Sequence, residues 1–433
     1  MKIAIVGTGY VGLVSGVCLA SLGHQVTCVD KDFTKIKNLR NGVIPIYEPG
    51  LSELLKKVEN NINFTDNLGD ALIGCKAIFI AVGTPQDEDG SADLKYVIQC
   101  AEEIVEKSKD DKVIITKSTV PVHTGEKIKK ITDSRKDIKF YIASNPEFLR
   151  EGCAIFDFIN PDRIVIGSND DYSKDILLEI YSSFSIEKIV TTDIATAELI
   201  KYASNSFLAT KISFINEMAD LCEKTGASIK NLSYAIGLDS RIGNKFLNAG
   251  PGFGGSCFPK DIMAIVNMSK KYDCKLSLIE SVIDSNKIRQ EKMSKKIVAI
   301  LDNQLSNKNI TFLGLAFKGN TDDTRYSPSI SIIKKIARNN CIIKVNDFQA
   351  LENAKKDLAE FNNIRYHQDP YEACTDSDLI VIATEWNEYS KLDYSIIFSK
   401  ARDKKILDLR NILDGEKIQK IGFKYFAIGK KND

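Results

Sequence analysis

Cys257 stands in a segment whose composition favours covalent chemistry. Four glycines lie among the seven residues before it, in GPGFGGSCFPKD at residues 250–261. Glycines let a backbone lie close against a ligand, and Pro259 suits the first turn of a helix. A thiol near a helix N-terminus has a lowered pKa and is a better nucleophile. The segment therefore predicts a nucleophilic Cys257, whereas the other nine cysteines are expected to be small buried hydrophobic residues. Asp261 fits either this chemistry or a charge at a helix start.

Two further pairs of polar residues have a spacing that suits a catalytic site. Lys201 and Asn205 are four residues apart in a helical pattern, so they share one helix face. They belong either to a site or to a solvated face, and periodicity favours the solvated face. Glu147 and Glu151 lie in SNPEFLREG after the strand-like KFYIA, and are either catalytic carboxylates or surface charges. Spacing leaves both choices open.

A second glycine-rich segment, GTGYVG at residues 7–12, is typical of dinucleotide binding. It follows the strand-like KIAIV and opens a helical pattern that includes Tyr10 and Val11. Gly7 permits the tight turn, Gly9 lets the backbone approach a pyrophosphate, and Gly12 lets the helix pack on the strand. The N–H groups of the helix start then point at the phosphates. We therefore expect a dinucleotide to bind at this turn.

An acidic residue stands where such a site needs one. Asp30 ends the next strand-like run, 18 positions after Gly12, and its carboxylate is expected to bind the adenosine ribose. A carboxylate repels a 2′-phosphate, so NAD is favoured over NADP, although Lys31 and Lys35 nearby weaken that inference. Ligands in open α/β sheets also lie beyond the carboxyl ends of other strands. The residues at such ends that qualify, unless they are ordinary turn residues, are Thr84, Ser118 and Thr119.

The hydrophobic pattern predicts the elements that position these residues. Short β-branched runs alternate with helical stretches up to residue 193, which predicts a parallel sheet covered on both faces. After Asp193, a suitable N-cap, apolar residues recur at helical spacing until Gly226, which predicts one long central helix. The strand-like runs before that helix are KIAIV, QVTCVD, AIFIAV, KVIIT, KFYIAS, RIVIGS and KIVTTD.

The last third of the chain repeats the α/β pattern. Helical patterns continue to about residue 300, and NITFLGLAF, CIIKVND, DLIVIAT and KKILDL then predict the strands of a second unit. The predicted fold class is therefore α/β, with two doubly wound, Rossmann-like parallel-sheet domains joined by a long central helix. The expected parts are residues 1–193, 194–300 and 301–433.

Composition excludes several classes of protein. The 433 residues include 59 basic and 58 acidic side chains, so no broad field attracts nucleic acid or an anionic membrane. No apolar run approaches the roughly 20 residues of a membrane-spanning helix, and MKIAIV is interpreted as a strand rather than a signal peptide. The ten cysteines form no CxxC pair, and only three histidines are present. We therefore expect a reduced, cytoplasmic protein without a metal site.

Together these motifs resemble those of the UDP-glucose 6-dehydrogenase family over essentially the whole chain. The matching segments are GTGYVGL, VGTP, STVP, NPEFLREG, the Lys201 to Asn205 pair, GPGFGGSCFPKD, GLAFKGNTDDTRYSP and Asp408-Leu409-Arg410. The resemblance implies an N-terminal NAD-binding domain, a central helical region that forms a homodimer, and a C-terminal domain that binds the UDP portion of the substrate. It also implies oxidation of the C6 alcohol of UDP-glucose to the carboxylate of UDP-glucuronate, with two NAD reduced per sugar.

The resemblance also implies the catalytic roles. The Cys257 thiol attacks the aldehyde, and hydride loss from the thiohemiacetal gives a thioester that water hydrolyses. Lys201 and Asn205 look like donors to the alcohol-derived oxygen, and Asp261 would organise a water or proton relay. The remaining assignments are Glu151 for activation of water, and Glu147 and Thr119 for the nicotinamide side. The division of roles between the two glutamates stays open.

Binding positions follow from the same resemblance, since a diphosphate demands cationic partners in a chain whose charge is otherwise balanced. Positions that match substrate contacts are Phe148, Leu149, Arg150, Glu151, Lys201, Asn205, Phe246, Leu247, Asn248, Ala249, Gly250, Phe253, Gly254, Lys318 and Arg410. Arg241 looks like an arginine donated across the dimer interface. Positions that match NAD contacts, besides the glycine turn and Asp30, are Lys35, Thr84, Thr119, Glu147, Lys260 and Arg325.

Two positions depart from the family pattern, and three alternative functions stay open. His123 stands in STVPVHTG where glycine is usual, and Tyr326 stands in DDTRYSP where an acidic residue is common, which leaves the shape of these loops open. Other nucleotide sugars, GDP-mannose or UDP-N-acetylmannosamine, fit the same scaffold. A two-electron 3-hydroxyacid dehydrogenase needs no cysteine nucleophile. In a non-catalytic NAD-sensing protein, Cys257 would be a redox switch.

Overall fold

Two units make up residues 1–431, the part of the chain that the structure, a computed structural model, describes. The first contains Met1–Ser204 and Met263–Cys274. The second contains Asn205–Ile262 and the described residues from Lys275 onward. Each unit is built around one largely parallel sheet with helices packed on it.

The first unit contains eight strands. Their bounds are β1 Lys2–Val6, β2 Gln25–Val29, β3 Ile62–Thr65, β4 Ala77–Ile80, β5 Lys112–Thr116, β6 Phe140–Ser144, β7 Ile164–Ser168 and β8 Ile189–Thr192. They lie in the order β3-β2-β1-β4-β5-β6-β7-β8, and β6 pairs with β7 in the antiparallel sense. The order reverses between β1 and β4, which is where sheets of this kind bind ligands.

Helices cover this sheet, and two of them begin at an acidic cap. Asp32 accepts a hydrogen bond from the Lys35 amide, and Asp170 accepts one from the Ser173 amide. The helix bounds are α1 Tyr10–Ser21, α2 Phe33–Arg40, α3 Leu51–Lys57, α4 Leu68–Ala71, α5 Lys95–Lys107, α6 Thr124–Thr132, α7 Ala154–Ile159 and α8 Asp171–Ile180, with a 3-10 helix at Ile186–Lys188.

The predicted long central helix is present as α9, Ile194–Thr225. Asp193 caps it, because its carboxylate accepts hydrogen bonds from the Thr196 amide (2.8 Å) and hydroxyl (2.7 Å). Gly226 ends it with a left-handed φ of +81°. Residues of α9 belong to both units.

The second unit contains the second sheet. Its strands are β9 Asn309–Leu313, β10 Ile342–Asn346, β11 Ile364–Tyr366, β12 Leu379–Ile382, β13 Lys405–Asp408 and β14 Lys424–Ala427, in the order β11-β10-β9-β12-β13-β14. The helices after α9 are α10 Ile229–Gly237, α11 Phe258–Lys271, α12 Ser277–Ile300, α13 Pro328–Ala337, α14 Leu351–Asp357, α15 Pro370–Ala373, α16 Asn387–Ser390, α17 Tyr394–Lys400 and α18 Gly415–Ile421. Part of α11 belongs to the first unit.

The predicted fold class of two doubly wound domains and a long central helix is confirmed. Three strands were not predicted, and all three lie at sheet edges: β3, β11 and β14. Edge strands bury less surface, so they carry shorter apolar runs. The antiparallel pairing of β6 with β7 was also not predicted, because strand direction leaves no mark on hydrophobic periodicity. Across residues 1–431, no helix combines the length and apolarity needed to cross a bilayer.

Candidate active site

The first glycine turn ends β1 at the point where the strand order reverses. Gly7 has a left-handed φ of +101°, and a Cβ there would lie 2.6 Å from the Ala81 oxygen. A Cβ on Gly12 would lie 1.9 Å from the Gly7 oxygen, so α1 can pack on the turn only with glycine at this position. Gly9, just before Tyr10 and Val11 of α1, has open space where a Cβ would be. The turn therefore fits a pyrophosphate lying against the start of α1.

Asp30 lies directly after β2 beside this turn. One carboxylate oxygen accepts from the Thr8 amide (2.9 Å), the Thr8 hydroxyl (2.7 Å) and Lys35 Nζ (3.0 Å). Burial would raise the pKa of Asp30, but the hydrogen bonds from Thr8 and Lys35 outweigh it and hold the pKa below its ordinary value. Asp30 is therefore ionised at neutral pH, as an acceptor for a ribose hydroxyl must be. Lys31 pairs instead with Glu103.

Polar residues follow the neighbouring strands β4 and β5. The Thr84 hydroxyl donates to the Thr119 oxygen (2.9 Å), so these two residues lie together. The Ser118 hydroxyl donates to the Val82 oxygen (2.6 Å). Ser118 therefore ties one loop to the next, as an ordinary turn residue does. Thr84 and Thr119 lie beyond the carboxyl ends of β4 and β5, where a cofactor is expected.

A buried ion pair joins α9 to the end of β6. Lys201 Nζ lies 2.8 Å from Glu147 Oε1, and each side chain is 4% exposed. The other Glu147 oxygen accepts from the Leu149 amide (2.6 Å). Burial by itself would raise the pKa of Glu147, but the charge and hydrogen bond of Lys201 outweigh it and hold the pKa below its ordinary value. The alternatives of a surface charge for Glu147 and a solvated face for Lys201 are therefore wrong.

Lys117, a buried cation that sequence reasoning missed, lies beside this pair. It follows β5, and its Nζ donates to Asn145 Oδ1 (2.8 Å). Burial lowers the pKa of Lys117 to about 8; the Glu147 charge opposes this shift and the Lys201 charge adds to it. The sequence signal that could have found it was a lysine directly after the strand-like run KVIIT. In the structure all five residues of that strand are buried. Two lysines thus surround one carboxylate.

The segment 147–151 presents further predicted substrate residues. The Phe148 ring centroid lies 3.7 Å from the Arg163 guanidinium carbon and 5.4 Å from Lys201 Nζ. Arg150 forms a two-pronged ion pair with Asp157, at 2.9 and 2.6 Å. Glu151 is partly buried and Leu149 packs beside the core of the unit. Phe148 is therefore near Lys201, whereas Arg150 is held by Asp157.

In the second unit, Cys257 directly precedes α11, and the Asp261 amide donates to its carbonyl (2.9 Å). Pro259 lies in the first turn of α11. A Cβ on Gly254 would lie 2.3 Å from the Tyr326 oxygen, and one on Gly255 would lie 2.8 Å from the Phe317 ring. Both glycines are thus required by close packing, and they bring the chain to Cys257 along a fixed path.

Asn205 and Asp261 form a second buried polar pair. Asn205 Nδ2 donates to one Asp261 oxygen at 2.7 Å, and Lys260 Nζ lies 2.5 Å from the other. Asn205 is 5% exposed and Asp261 is 1% exposed. Asp261 is therefore more than a charge at a helix start, and Lys260 is its ion-pair partner. Both Lys201 and Asn205, one turn apart on α9, bind a buried carboxylate.

Side chains from α9 and α12 hold the cysteine loop, and sequence reasoning missed them. The Gly250 amide donates to Asn216 Oδ1 (2.8 Å), and its carbonyl accepts from Arg289 Nε (2.9 Å). Asn286 accepts from the Phe253 amide (2.8 Å) and donates to the Phe253 carbonyl (3.0 Å). Because a glycine-rich loop has few side chains to fix it, these four hydrogen bonds define its path. Polar residues on amphipathic helices gave no signal of this role.

Predicted UDP-side residues lie near the same loop. Arg410 donates to the carbonyls of Ala383 (2.9 Å) and Phe317 (2.8 Å), and a Cβ on Gly250 would lie 3.4 Å from its Nη1. Lys318 Nζ lies 5.4 Å from the Phe317 ring centroid. The structure thus brings Arg410 and Gly250 together. The rings of Phe246 and Phe253 each lie about 6 Å from the ring of Phe258.

Other predicted residues lie apart from this group or serve the fold. Arg241 is exposed and pairs with Asp239. Arg325 pairs with Asp323, and its carbonyl accepts from the Gly255 amide (2.9 Å). Leu247 and Ala249 are in the core, whereas Asn248 is exposed.

The two departures from the family pattern both have left-handed backbones. His123 has φ of +70° and precedes α6, and Tyr326 has φ of +51°. The left-handed region favours glycine, which accounts for glycine being usual at position 123. Each loop therefore holds a non-glycine residue in the left-handed region, which is higher in backbone energy for a residue with a Cβ.

None of the ten cysteines forms a disulfide, and seven are buried. Cys153 and Cys274 are exposed, so the prediction that all nine cysteines besides Cys257 are buried is wrong for these two. Cys153 immediately precedes the short helix α7, and Cys274 follows the end of α11, where the backbone is at the surface. Within residues 1–431, no three His, Cys, Asp or Glu side chains are grouped to hold a metal ion.

Comparison with known proteins identifies the family. Residues 1–185 match the NAD binding domain of the UDP-glucose/GDP-mannose dehydrogenase family, residues 195–288 its central domain, and residues 311–415 its UDP binding domain. The chain belongs to the UDP-glucose/GDP-mannose dehydrogenase family. It is therefore an enzyme, an NAD-dependent dehydrogenase, and the alternatives of a 3-hydroxyacid dehydrogenase and a non-catalytic NAD sensor are set aside.

Relatives within this dehydrogenase family match the whole chain. The UDP-glucose 6-dehydrogenase of Rickettsia conorii is 50% identical over 433 residues, with all of both chains covered. That of Rhizobium meliloti is 46% identical, covering 99% of this chain and 100% of the relative. A UDP-glucose dehydrogenase structure from Pyrobaculum islandicum has a TM-score of 0.91 at 35% identity, covering 99% of this chain and 97% of that one.

Proposed function

We propose that this dehydrogenase oxidises UDP-glucose to UDP-glucuronate, reducing two NAD⁺ per sugar through a thiohemiacetal and a thioester on Cys257. The observation that carries the proposal is the placement of Cys257 at the start of α11, four residues before the buried Asp261 that binds Asn205. The names of the full-length relatives support UDP-glucose as the sugar. GDP-mannose and UDP-N-acetylmannosamine are the alternative substrates.

In the first oxidation, the C6 alcohol loses a hydride and a proton and becomes an aldehyde. NAD⁺, held at the glycine turn and by Asp30, would supply the hydride acceptor for each of the two oxidations. Lys201 and Asn205 donate to the C6 oxygen as negative charge develops on it, which is how preorganised donors lower a barrier. Asp261 orders the water that carries the proton away. Thr119 and Glu147 line the nicotinamide side, and Glu147 holds Lys201 in place through their ion pair.

In the second oxidation, the aldehyde is held covalently. The Cys257 sulfur bonds to C6 and the thiol proton passes to the C6 oxygen, which gives a thiohemiacetal with a hydride left to lose. Loss of that hydride and the hydroxyl proton gives a thioester. Water activated by Glu151 then breaks the S–C6 bond, releases the carboxylate and returns the thiol. In this proposal, covalent capture keeps the aldehyde from escaping between the two oxidations.

The nucleotide is bound, in this proposal, through the UDP binding domain and the cysteine loop. Arg410 and Lys318 supply cations for the diphosphate, and residues Phe246–Gly250, Phe253 and Gly254 supply backbone and ring contacts. Phe148, Leu149 and Arg150 complete the predicted set. Residues 1–193, 194–300 and 301–433 remain the proposed functional parts, and a cytoplasmic location remains a prediction.

A substrate panel with product counting tests the proposal. UDP-glucose, GDP-mannose and UDP-N-acetylmannosamine are compared by kcat/KM, and NADH is counted per sugar consumed. We expect UDP-glucose to be preferred and about two NADH to form per sugar. Faster turnover of GDP-mannose would overturn the substrate assignment. One NADH per sugar with free aldehyde would overturn the thioester route.

Asp30 is expected to set the preference for NAD. Asp30→Asn keeps the shape but removes the charge that accepts from a ribose hydroxyl and repels a 2′-phosphate. We expect the KM for NAD⁺ to rise about tenfold, since a hydrogen bond to a charged group is worth roughly 1.5–3 kcal/mol, and the NAD⁺/NADP⁺ preference to fall. Steady-state kinetics with both cofactors measures this. Asp66→Asn, an exposed residue after β3, is the matched control; an unchanged preference in Asp30→Asn would contradict the assignment.

An exposed apolar stripe on α9 supports the proposed homodimer. Phe207, Phe214 and Leu221 are seven residues apart and are 66%, 47% and 54% exposed. Large apolar side chains in one row on a helix favour burial against a partner, here a second copy. Arg241, exposed in one chain, would then complete the partner's substrate site.

Phe214→Asp is expected to dissociate this dimer, because it places a charge in an apolar interface. Analytical ultracentrifugation should show the monomer, and activity should fall because Arg241 no longer reaches its partner. Lys224→Ala, at an exposed position near the end of α9, should leave the dimer intact. A Phe214→Asp protein that sediments like wild type would contradict the proposed interface.

A further inference from the structure

Glu48 is a buried carboxylate for which the proposed chemistry has no use. It lies between α2 and α3 in the first unit and is 6% exposed. Its Oε2 accepts from the Gly152 amide (2.6 Å) and from the Tyr10 hydroxyl, and its Oε1 accepts from the Ala154 amide (2.7 Å). Both oxygens of one buried carboxylate therefore bind backbone amides of the same short stretch.

These donors give Glu48 a position that few other side chains could fill. A buried carboxylate is costly unless hydrogen bonds replace its water, and two amides and a phenol do so here. Burial raises the pKa of Tyr10, and the neighbouring Glu48 raises it further, so the phenol stays protonated and donates. The Tyr10 hydroxyl also accepts from the Gly152 amide (3.0 Å). The three groups thus form one closed set of hydrogen bonds.

This set joins two segments that are distant in the sequence. Tyr10 belongs to the glycine-rich segment GTGYVG, where a dinucleotide is expected to bind, and is the first residue of α1. Gly152 has a left-handed φ of +77° and directly follows the segment 147–151, and Ala154 begins α7. The upstream end of that segment is fixed by Glu147 on Lys201. Glu48 fixes its downstream end, next to the proposed water-activating Glu151.

We propose that Glu48 is a positioning residue that, with Tyr10, holds the substrate segment 147–151 in a fixed position relative to the dinucleotide turn. The proposal rests on the proposed function, which assigns substrate contacts to that segment. The proposal gives two residues a specific role. Glu48 aligns the segment that contacts the sugar, and the Tyr10 side chain connects the dinucleotide turn to Glu48. The backbone of Tyr10 still serves the helix start that faces the pyrophosphate.

Glu48→Gln tests the proposal with little change of shape. Each carboxylate oxygen accepts from a backbone amide, so the NH₂ of a glutamine must face an N–H donor at one of them. We expect the KM for UDP-glucose to rise about tenfold, while the Kd for NAD⁺ stays within about twofold because α1 keeps its backbone. Glu53→Gln, the same change at an exposed position of α3, should alter neither constant.

Tyr10→Phe provides a second, milder variant that keeps the ring and both Glu48–amide bonds. We expect a rise of about threefold in the KM for UDP-glucose, and less than that when the change is added to Glu48→Gln, because both act through one set of hydrogen bonds. An unchanged KM for UDP-glucose in Tyr10→Phe and in folded Glu48→Gln would overturn the proposal, as would equal rises in the constants for NAD⁺ and sugar. Wild-type NADH counts test the proposed function separately, so a failure of either is distinguishable.

Discussion

Cys257→Ser is expected to bind NAD⁺ and UDP-glucose as wild type does and to lose net formation of UDP-glucuronate. The serine hydroxyl is a much weaker nucleophile than a thiol. An ester formed on serine would also be hydrolysed more slowly than a thioester, because an alkoxide is a poorer leaving group than a thiolate. We expect kcat for acid formation to fall at least about 10³-fold. Chromatography of the sugar products measures this, and calorimetric titration of both ligands checks that binding is kept.

The exposed cysteines provide matched controls. Cys274→Ser and Cys153→Ser make the same atomic change at surface positions, and both should retain full activity. Cys257→Ser keeps the hydrogen bonds by which Asn216, Arg289 and Asn286 hold the backbone of the cysteine loop. Undiminished acid formation in Cys257→Ser would refute the nucleophile assignment.

Lys201→Met is expected to damage both catalysis and folding. The variant removes a donor to the C6 oxygen, and loss of one such donor costs about 10²–10³-fold in kcat. It also leaves Glu147 buried without its closest cation. Breaking one partner of a buried ion pair costs about 3–5 kcal/mol, part of which Lys117 offsets here. Urea unfolding of the first unit and steady-state kinetics measure the two effects.

The pH dependence separates the ion pair from a simple packing defect. Burial would raise the pKa of Glu147, but in the wild type Lys201 outweighs burial and holds that pKa below its ordinary value. The stabilisation from the pair is therefore full above the pKa of the unfolded state and is lost as pH falls through the pKa of the folded state. Without Lys201, burial raises the pKa of Glu147. Protonation of Glu147 at low pH then removes the buried unpaired charge that destabilises the variant. The stability gap between wild type and Lys201→Met should therefore shrink between pH 7 and pH 4.

The double variant Lys201→Met, Glu147→Gln completes this test. With neither charge buried, much of the lost stability should return, while kcat stays low because the donor is still missing. Lys224→Met, exposed on the same helix, controls for the substitution itself. A stability gap that does not change with pH, and that Glu147→Gln does not reduce, would contradict the account of the pair.

The long periodic segments made most of the fold predictable, whereas short strands and the direction of a strand could not be predicted. The α9 pattern, its Asp193 cap and its Gly226 end act locally, so they were predicted within a few residues. The strand β3 holds four residues at a sheet edge, which is too little pattern to detect. The reversed direction of β7 depends on how the chain packs after β6, which local propensity does not encode.

The candidate site was predictable where a glycine or cysteine marks it. Gly12 and Gly254 leave a signature because a Cβ at either position would collide with backbone. The burial of Glu147 and its pairing with a lysine 54 residues away on α9 could not be predicted, because spacing does not give contacts between distant segments. Glu48, Lys117 and Asn286 were missed for the same reason: each acts through contacts made only in the folded chain.

In the proposed mechanism Cys257 carries the sugar during oxidation, and mass spectrometry of quenched reactions can detect that adduct. Wild type and Glu151→Gln, in which hydrolysis should be slowed, are mixed with UDP-glucose and NAD⁺, quenched in acid and digested. We expect the peptide containing Cys257 to gain the mass of a UDP-glucuronyl group, most strongly in Glu151→Gln, and the corresponding peptide of Cys257→Ser to gain none. Formation of UDP-glucuronate with the Cys257 peptide unmodified in every sample would contradict the proposed mechanism.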